Sequence, residues 1–277
     1  MVWSSSKGVF DMAMEFIGFG GTSNVYKKNG VALKQFKAGQ DEKFEHEKEL
    51  LLRLAHPNII KCYGTFRWDK TSAEGKENNR EVFGLVLELG EKNLHSCFID
   101  NKTIPFDEET RKLFAYQLVT ALAYLHFKRI VHRDVQISNM VVCNGGSQVK
   151  LVDFGSAAEF TAGEDVCYSY TKIVFSTGAY TAPEIRNEKL VPGKGLAYGP
   201  ATDAYAFGKV LWGLITNSTA FEYPEEVEQP KRPENYSNDL YWGVMQRFWS
   251  QKPAERLTPQ YMLTRRPQLE KLFSFGK

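Results

Sequence analysis

VHRDVQISNM, residues 131–140, is the stretch from which the rest of the chain is read. Asp134 follows a basic residue and Asn139 stands five positions later, giving the frame H-R-D-x-x-x-x-N. A carboxylate held rigidly at Asp134 can accept a proton from a hydroxyl or orient that hydroxyl. The side chain of Asn139 offers an oxygen to a hard cation. Between them Gln136 is a neutral amide, able to donate hydrogen bonds but carrying no charge.

Working outward, residues 152–155 read VDFG and follow the strand-like run QVKLV, so Asp153 is a candidate oxygen ligand for magnesium. Further on, TGAYTAPE (177–184) and KPAERLT (252–258) supply Glu184 and Arg256, expected to form a buried ion pair. Upstream, IGFGGTSNVY (17–26) places Gly18 and Gly20 between two strand-like segments. Glycines there allow a tight hairpin and bring backbone N–H groups close to phosphate oxygens, although taken alone such a hairpin is an ordinary turn. Ser23 occupies the place of a third glycine, and Val25 follows. In VALK (31–34) a lysine sits in an apolar strand, where it needs a carboxylate or a phosphate unless it reaches solvent. The following helix offers Glu45, Glu47 and Glu49, and counting back from His56-Pro57-Asn58 favours Glu47 as the partner of Lys34.

The organisation agrees with two differing halves. MEFIGFG, SNVYKK and GVALKQF are short, glycine-broken and rich in β-formers, so they read as consecutive antiparallel strands. DEKFEHEKELLLRLA reads as a helix that His56-Pro57 ends, because proline disfavours helix at the residue before it. CYGTFRW and EVFGLVLEL are two more strands around DKTSAEGKENNR, a polar insertion expected to be exposed and mobile. Beyond residue 93 the pattern turns helical. In DEETRKLFAYQLVTALAYLHF, Leu113, Phe114, Gln117, Leu118, Ala121, Leu122 and Leu125 share one side, and PATDAYAFGKVLWGLIT is apolar almost all round.

Composition narrows the function classes. The 277 residues carry 35 Lys plus Arg against 33 Asp plus Glu, a net charge of +2. That balance speaks against a nucleic-acid partner, whose footprint is a basic excess or stripe. No run approaches the roughly 18–20 consecutive apolar residues of a membrane span, and the first residues lack the pattern of a signal peptide. Cys62, Cys97, Cys143 and Cys167 are scattered without metal-ligand spacing, which suggests buried thiols in a reducing compartment, cytoplasmic or nuclear.

Each motif is short; their order is specific. Glycine loop, strand lysine, helix glutamate, HRD loop, DFG and APE follow one another as in the eukaryotic protein kinases, which the chain resembles from about Met14 to Phe273. The resemblance implies an α+β, two-lobed protein-kinase-like fold as a single domain over 1–277. It has a small antiparallel-sheet N-lobe with one helix (about 10–89), a hinge (about 88–92) and a larger, mainly helical C-lobe (about 93–273). It implies ATP and Mg²⁺ as cofactors and a protein bearing Ser or Thr as substrate. Gly18, Phe19, Gly20 and Ser23 would cover the phosphates, and Val25 and Ala32 would sandwich the adenine. Lys34, positioned by Glu47, would hold the α- and β-phosphates. Leu87 falls at the gatekeeper position, with Glu88 and Leu89 in the hinge. Asn139 and Asp153 would bind the metal and Asp134 would act as base. Asp203 matches the buried aspartate that steadies the HRD backbone, and Thr177 the residue that contacts the catalytic loop of serine/threonine kinases.

Two departures from the family pattern bear on rate. The interval from Lys34 to Glu47 is short, and Gln136 replaces the lysine of serine/threonine kinases without the arginine that tyrosine kinases place nearby. A neutral donor is roughly half as strong as a charged one, so a slow serine/threonine kinase is expected. The alternatives are a pseudokinase acting as a nucleotide-binding scaffold and, opposed by the APE segment, a small-molecule phosphotransferase. Arg133, beside Asp134, calls for an anion, which suggests phosphorylation among Thr161, Tyr168, Ser169, Tyr170, Thr171 and Ser176.

Overall fold

Alternating side chains explain why VALKQF can be buried along most of its length. In the computed structural model, which describes residues 2–4, 14–70, 80–99, 106–170, 178–217, 230–232, 234 and 237–265, this run is a strand packed on both faces. Leu33 enters a cluster with Phe66, Val82 and Val86 on one face. Lys34 and Phe36, two residues apart, point to the other. Phe36 meets Phe44 and Phe83 there, with ring centroids 5.5 and 6.4 Å away.

Contacts divide the chain into two units, Met1–Ala55 with Ile59–Gly90, and His56–Asn58 with Glu91–Lys277. The first holds β1 (Val2–Ser4), β2 (Glu15–Phe19), β3 (Ser23–Lys28), β4 (Val31–Phe36), α1 (Asp41–Arg53), β5 (Cys62–Lys70) and β6 (Arg80–Glu88). They make one sheet in the order β1-β5-β6-β4-β3-β2. Its pairings are antiparallel except that β1 adds in parallel to β5, Val2 opposite Thr65, which the sequence pattern did not suggest. Residues 71–79 of the expected polar insertion lie outside the described residues.

Gly84 marks the tightest approach in this sheet. A Cβ there would lie 2.1 Å from the carbonyl oxygen of Lys34 and 2.6 Å from the Phe66 ring. Neighbouring backbone cannot yield as a side chain can, so Gly84→Ala is expected to destabilise the chain by about 2–3 kcal/mol. Urea unfolding followed by tryptophan fluorescence measures this, as a lower midpoint at unchanged slope.

His56–Asn58 belong to the second unit although they close α1 in sequence. The reason is local: Asn58 donates from Nδ2 to the Val149 carbonyl, and its own carbonyl accepts from Leu151 N, both at 2.9 Å. This unit contains β7 (Lys92–Asn93), α2 (Leu94–Ile99), α3 (Glu108–Phe127), β8 (Ile130–Val131), β9 (Met140–Cys143), β10 (Gln148–Leu151) and β11 (Ala158–Glu159). There follow β12 (Cys167–Ser169), α4 (Pro183–Arg186), β13 (Leu196–Tyr198), α5 (Pro200–Thr216), α6 (Asp239–Phe248) and α7 (Pro259–Thr264).

Asp107 caps α3, its carboxylate accepting from Thr110 N at 2.7 Å. The helix packs against α5, α7 and β10, so its buried surface is wider than the single stripe expected, with Ala115, Val119 and Ala123 buried as well. α5 is buried from Asp203 to Ile215, as its uniformly apolar sequence requires. The strands here are short and pair as β10-β9-β7, β11-β8 and β12-β13. The architecture is a sheet unit with one helix and a mainly helical unit, α+β in class. Among the described residues no helix is long and apolar enough to cross a membrane.

Candidate active site

The sheet unit carries the residues expected at nucleotide phosphates and adenine. Gly18 and Phe19 end β2, and the turn to β3 closes through Gly20 N to Ser23 O at 2.8 Å. Ser23 is buried at this turn, while Phe19 at its tip is 82% exposed. Val25 pairs with Lys34 across β3 and β4, and Ala32 pairs with Leu87 across β4 and β6. Ala32 and Leu87 are buried; Glu88 and Leu89, at the end of β6, are half-buried. Glu88 is tied to the start of β5, its N–H donating to the Lys61 carbonyl at 2.9 Å.

Lys34 Nζ lies 2.7 Å from both oxygens of Glu47, in a pair whose side chains are 7% and 1% exposed. Helix phase selects this glutamate. Phe44, Glu47 and Leu50 recur at intervals of three and are all buried, while Glu45 and Glu49 fall off that face. The short interval after Lys34 is accommodated because α1 starts at Asp41, directly after the turn that leaves β4.

The helical unit carries the loop. β8 ends at Val131, and the backbone then takes a left-handed conformation at Arg133 (φ 66°) before Asp134. Asp203 holds this bend: its Oδ2 accepts from His132 N and its Oδ1 from Arg133 N, both at 2.9 Å. His126 Nε2 also donates to Asp203 Oδ2 at 2.9 Å. Burial alone pushes the Asp203 carboxyl up, but the His126 hydrogen bond, with the electrostatic influence of His126 and His132, brings it below the usual aspartate range. His126 was not singled out in the sequence; a histidine closing an otherwise apolar helix face was the available signal.

Around the loop the polar groups are shared between neighbours. Asn139 Nδ2 donates to the Asp134 carbonyl at 2.9 Å, which leaves the oxygen end of that amide on the other side. The Asn139 carbonyl accepts from Val152 N at 2.9 Å, bringing Asn139 next to Asp153. Asp153 is exposed and takes φ 62°. Two oxygen donors on adjoining backbone fit a hard divalent cation. Phe154 is buried edge-to-face against His132, ring centroids 4.9 Å apart.

Gln136 is buried, and its Nε2 donates to Asp134 Oδ1. The amide therefore touches the candidate base itself. Burial raises the Asp134 pKa and the nearby Asp153 charge adds to this, against the opposing effects of His132 and of the amide donors of Asn139 and Gln136.

Arg133 contacts two neutral groups. Its Nε donates to the Ser156 carbonyl, its guanidinium lies 5.4 Å from the centre of the Tyr198 ring, and burial lowers its pKa. Glu184 and Arg256 form a bidentate pair at 2.6 and 2.7 Å, with the arginine buried. Thr177, Thr171 and Ser176 lie outside the described residues.

The protein kinase domain model matches residues 12–266. The serine/threonine-protein kinase TIO of Arabidopsis thaliana is 31% identical over 263 residues, 88% of this chain and 18% of that protein. The serine/threonine-protein kinase PLK4 of Xenopus tropicalis is 24% identical over 88% of this chain and 26% of its own length. The serine/threonine/tyrosine-protein kinase HT1 of Arabidopsis thaliana is 26% identical over 92% of this chain and 67% of that protein. The chain thus spans about a fifth of TIO and about a quarter of PLK4. With the domain match running from before β2 to the end of α7, and the motif residues in the places just described, this chain belongs to the protein kinase family.

Proposed function

We propose that this chain is an ATP- and Mg²⁺-dependent serine/threonine protein kinase whose rate is held down by Gln136. The observation that carries the reading is the loop itself. Asp134, Asn139 and Asp153 sit on backbone tied together by hydrogen bonds, with Gln136 donating to the base. The relatives' names support the Ser/Thr class.

In the proposed reaction a substrate hydroxyl gives its proton to Asp134 as its oxygen bonds to the γ-phosphorus, and the bond to the β,γ-bridging oxygen breaks to release ADP. Lys34, fixed by Glu47, neutralises the α- and β-phosphates; Gly18, Phe19, Gly20 and Ser23 cover them; Val25, Ala32, Leu87, Glu88 and Leu89 receive the adenine. Asn139 and Asp153 would hold Mg²⁺, which when bound supplies positive charge to the phosphate oxygens. Positioning and charge neutralisation supply most of the rate in such a transfer.

The test is phosphate transfer from ATP with Mg²⁺ to generic protein substrates, beside an Asp153→Asn control. A signal no greater than the control removes the enzyme reading. The scaffold reading would then be favoured by the Gln136 contact on the base and tested by a nucleotide-dependent thermal shift.

Gln136→Lys gives a graded prediction. A preorganised donor on a developing oxyanion is worth about 2.7–4 kcal/mol, and a neutral donor keeps roughly half of that. Lysine is therefore expected to raise kcat about 10- to 30-fold. A fall in kcat would show that the loop is built around the amide.

A further inference from the structure

Residues 158–170 carry a network of charged and polar contacts of their own. Arg129, in the left-handed conformation (φ 62°), donates to the carbonyls of Thr161 and Glu164 and reaches Asp165 Oδ1 at 3.4 Å. Its own carbonyl accepts from Phe160 N at 2.8 Å. The turn so held presents the Glu164 carboxylate to two partners. Lys194 pairs with its Oε1, and Tyr168 Oη donates to its Oε2 at 2.9 Å. Lys194 also lies 4.9 Å from the centre of the Tyr168 ring.

The backbone follows the same connection. β12 pairs with β13, Tyr168 opposite Ala197. Lys194 stands on a tight hairpin closed by Val191 N to Gly195 O at 2.7 Å. Gly195, at φ 97°, allows that hairpin to press on β12, since a Cβ there would lie 2.7 Å from the Ser169 carbonyl oxygen. Arg133, the residue whose charge suggested a phosphate, contacts the Ser156 carbonyl and the Tyr198 ring.

We propose that Glu164 is a positioning residue: with Lys194 and Tyr168 it latches residues 158–170 to the 191–198 hairpin, so that this segment is held in place without being phosphorylated. The inference rests on the kinase reading above for its effect on substrate, but the latch itself does not. One exposed ion pair is weak, and the cooperation of Arg129, Tyr168 and the strand pairing is what makes this one matter. Glu164 acts through the segment it holds and touches no reacting group.

The test uses the full chain after phosphatase treatment, with Glu164→Ala, Lys194→Glu, Glu164→Lys and the charge-swapped double variant. Two readouts are taken: hydrogen exchange of amides in 158–170, and steady-state kinetics with peptide and ATP varied separately. Phosphatase-treated wild type is expected to keep its activity. Glu164→Ala is expected to speed exchange in 158–170 and raise the peptide KM, each about fivefold, with the ATP KM unchanged. The double variant is expected to recover most of both. Loss of wild-type activity on phosphatase treatment overturns the proposal, as do unchanged exchange in Glu164→Ala or a double variant no better than its parents. Were no phosphate transfer detected in any form, the function reading would fall, and exchange alone would decide the latch.

Discussion

Lys34→Met is expected to lower the unfolding free energy by about 3–5 kcal/mol, and adding Glu47→Leu is expected to recover most of that loss. The pair is almost out of solvent, with Lys34 Nζ 2.7 Å from each carboxylate oxygen. Taking two charges out of water is costly, and their mutual attraction roughly offsets that cost. Lys34→Met takes the cation at 2.7 Å away from a carboxylate that stays almost wholly buried. Removing both substitutes side chains of similar volume in an apolar setting. Phosphate transfer is expected to be lost in the single and in the double variant alike, because the double restores packing and no cation. Urea unfolding and transfer assays on the same preparations separate the two effects. A single variant as stable as wild type, or a double no more stable than the single, would sink the account of the pair.

That pair also shows how far the sequence can be read. Lys34 was visible because a lysine inside an apolar strand needs an explanation. Glu47 stood among three acids, and the period Phe44, Glu47, Leu50 is the signal that separates them. The positions of Asp134, Asn139 and Asp153 were legible from motif order, since order is one-dimensional information. Which way Gln136 points was not: a sequence gives the amide, and only packing gives the rotamer that turns its Nε2 onto the base.

The same limit hides the latch. Glu164 and Lys194 are thirty residues apart, and each reads in isolation as part of a solvated loop. Arg133 shows the same limit: its contacts with the Ser156 carbonyl and the Tyr198 ring come from residues 23 or more positions away. β1 had no local signal either, being three residues long with a partner some sixty positions away. Long helices such as α3 and α5 carry their own periodicity; short strands are defined by partners that periodicity cannot name.

Asp134→Asn is expected to cut phosphate transfer by about 10²- to 10⁴-fold, the range of a lost general base, while melting no lower than wild type. Asparagine keeps an oxygen for the amide donors of Gln136 and Asn139, and the backbone N–H and carbonyl of residue 134 keep their bonds to His132 and Asn139. Burial and the Asp153 charge raise the Asp134 pKa in the fold, so the native state binds this proton more readily than the unfolded chain does. A raised carboxyl pKa costs stability as pH climbs through it, and the neutral amide removes that cost. The base works only when deprotonated. In the wild type, transfer should therefore fall as pH drops through a value above the ordinary aspartate pKa of about 3.9. Gln136→Lys places a cation beside the same carboxylate and should move that acid limb downward. An acid limb that stays in place in Gln136→Lys, or an Asp134→Asn variant that keeps wild-type transfer, would remove Asp134 from the role of base.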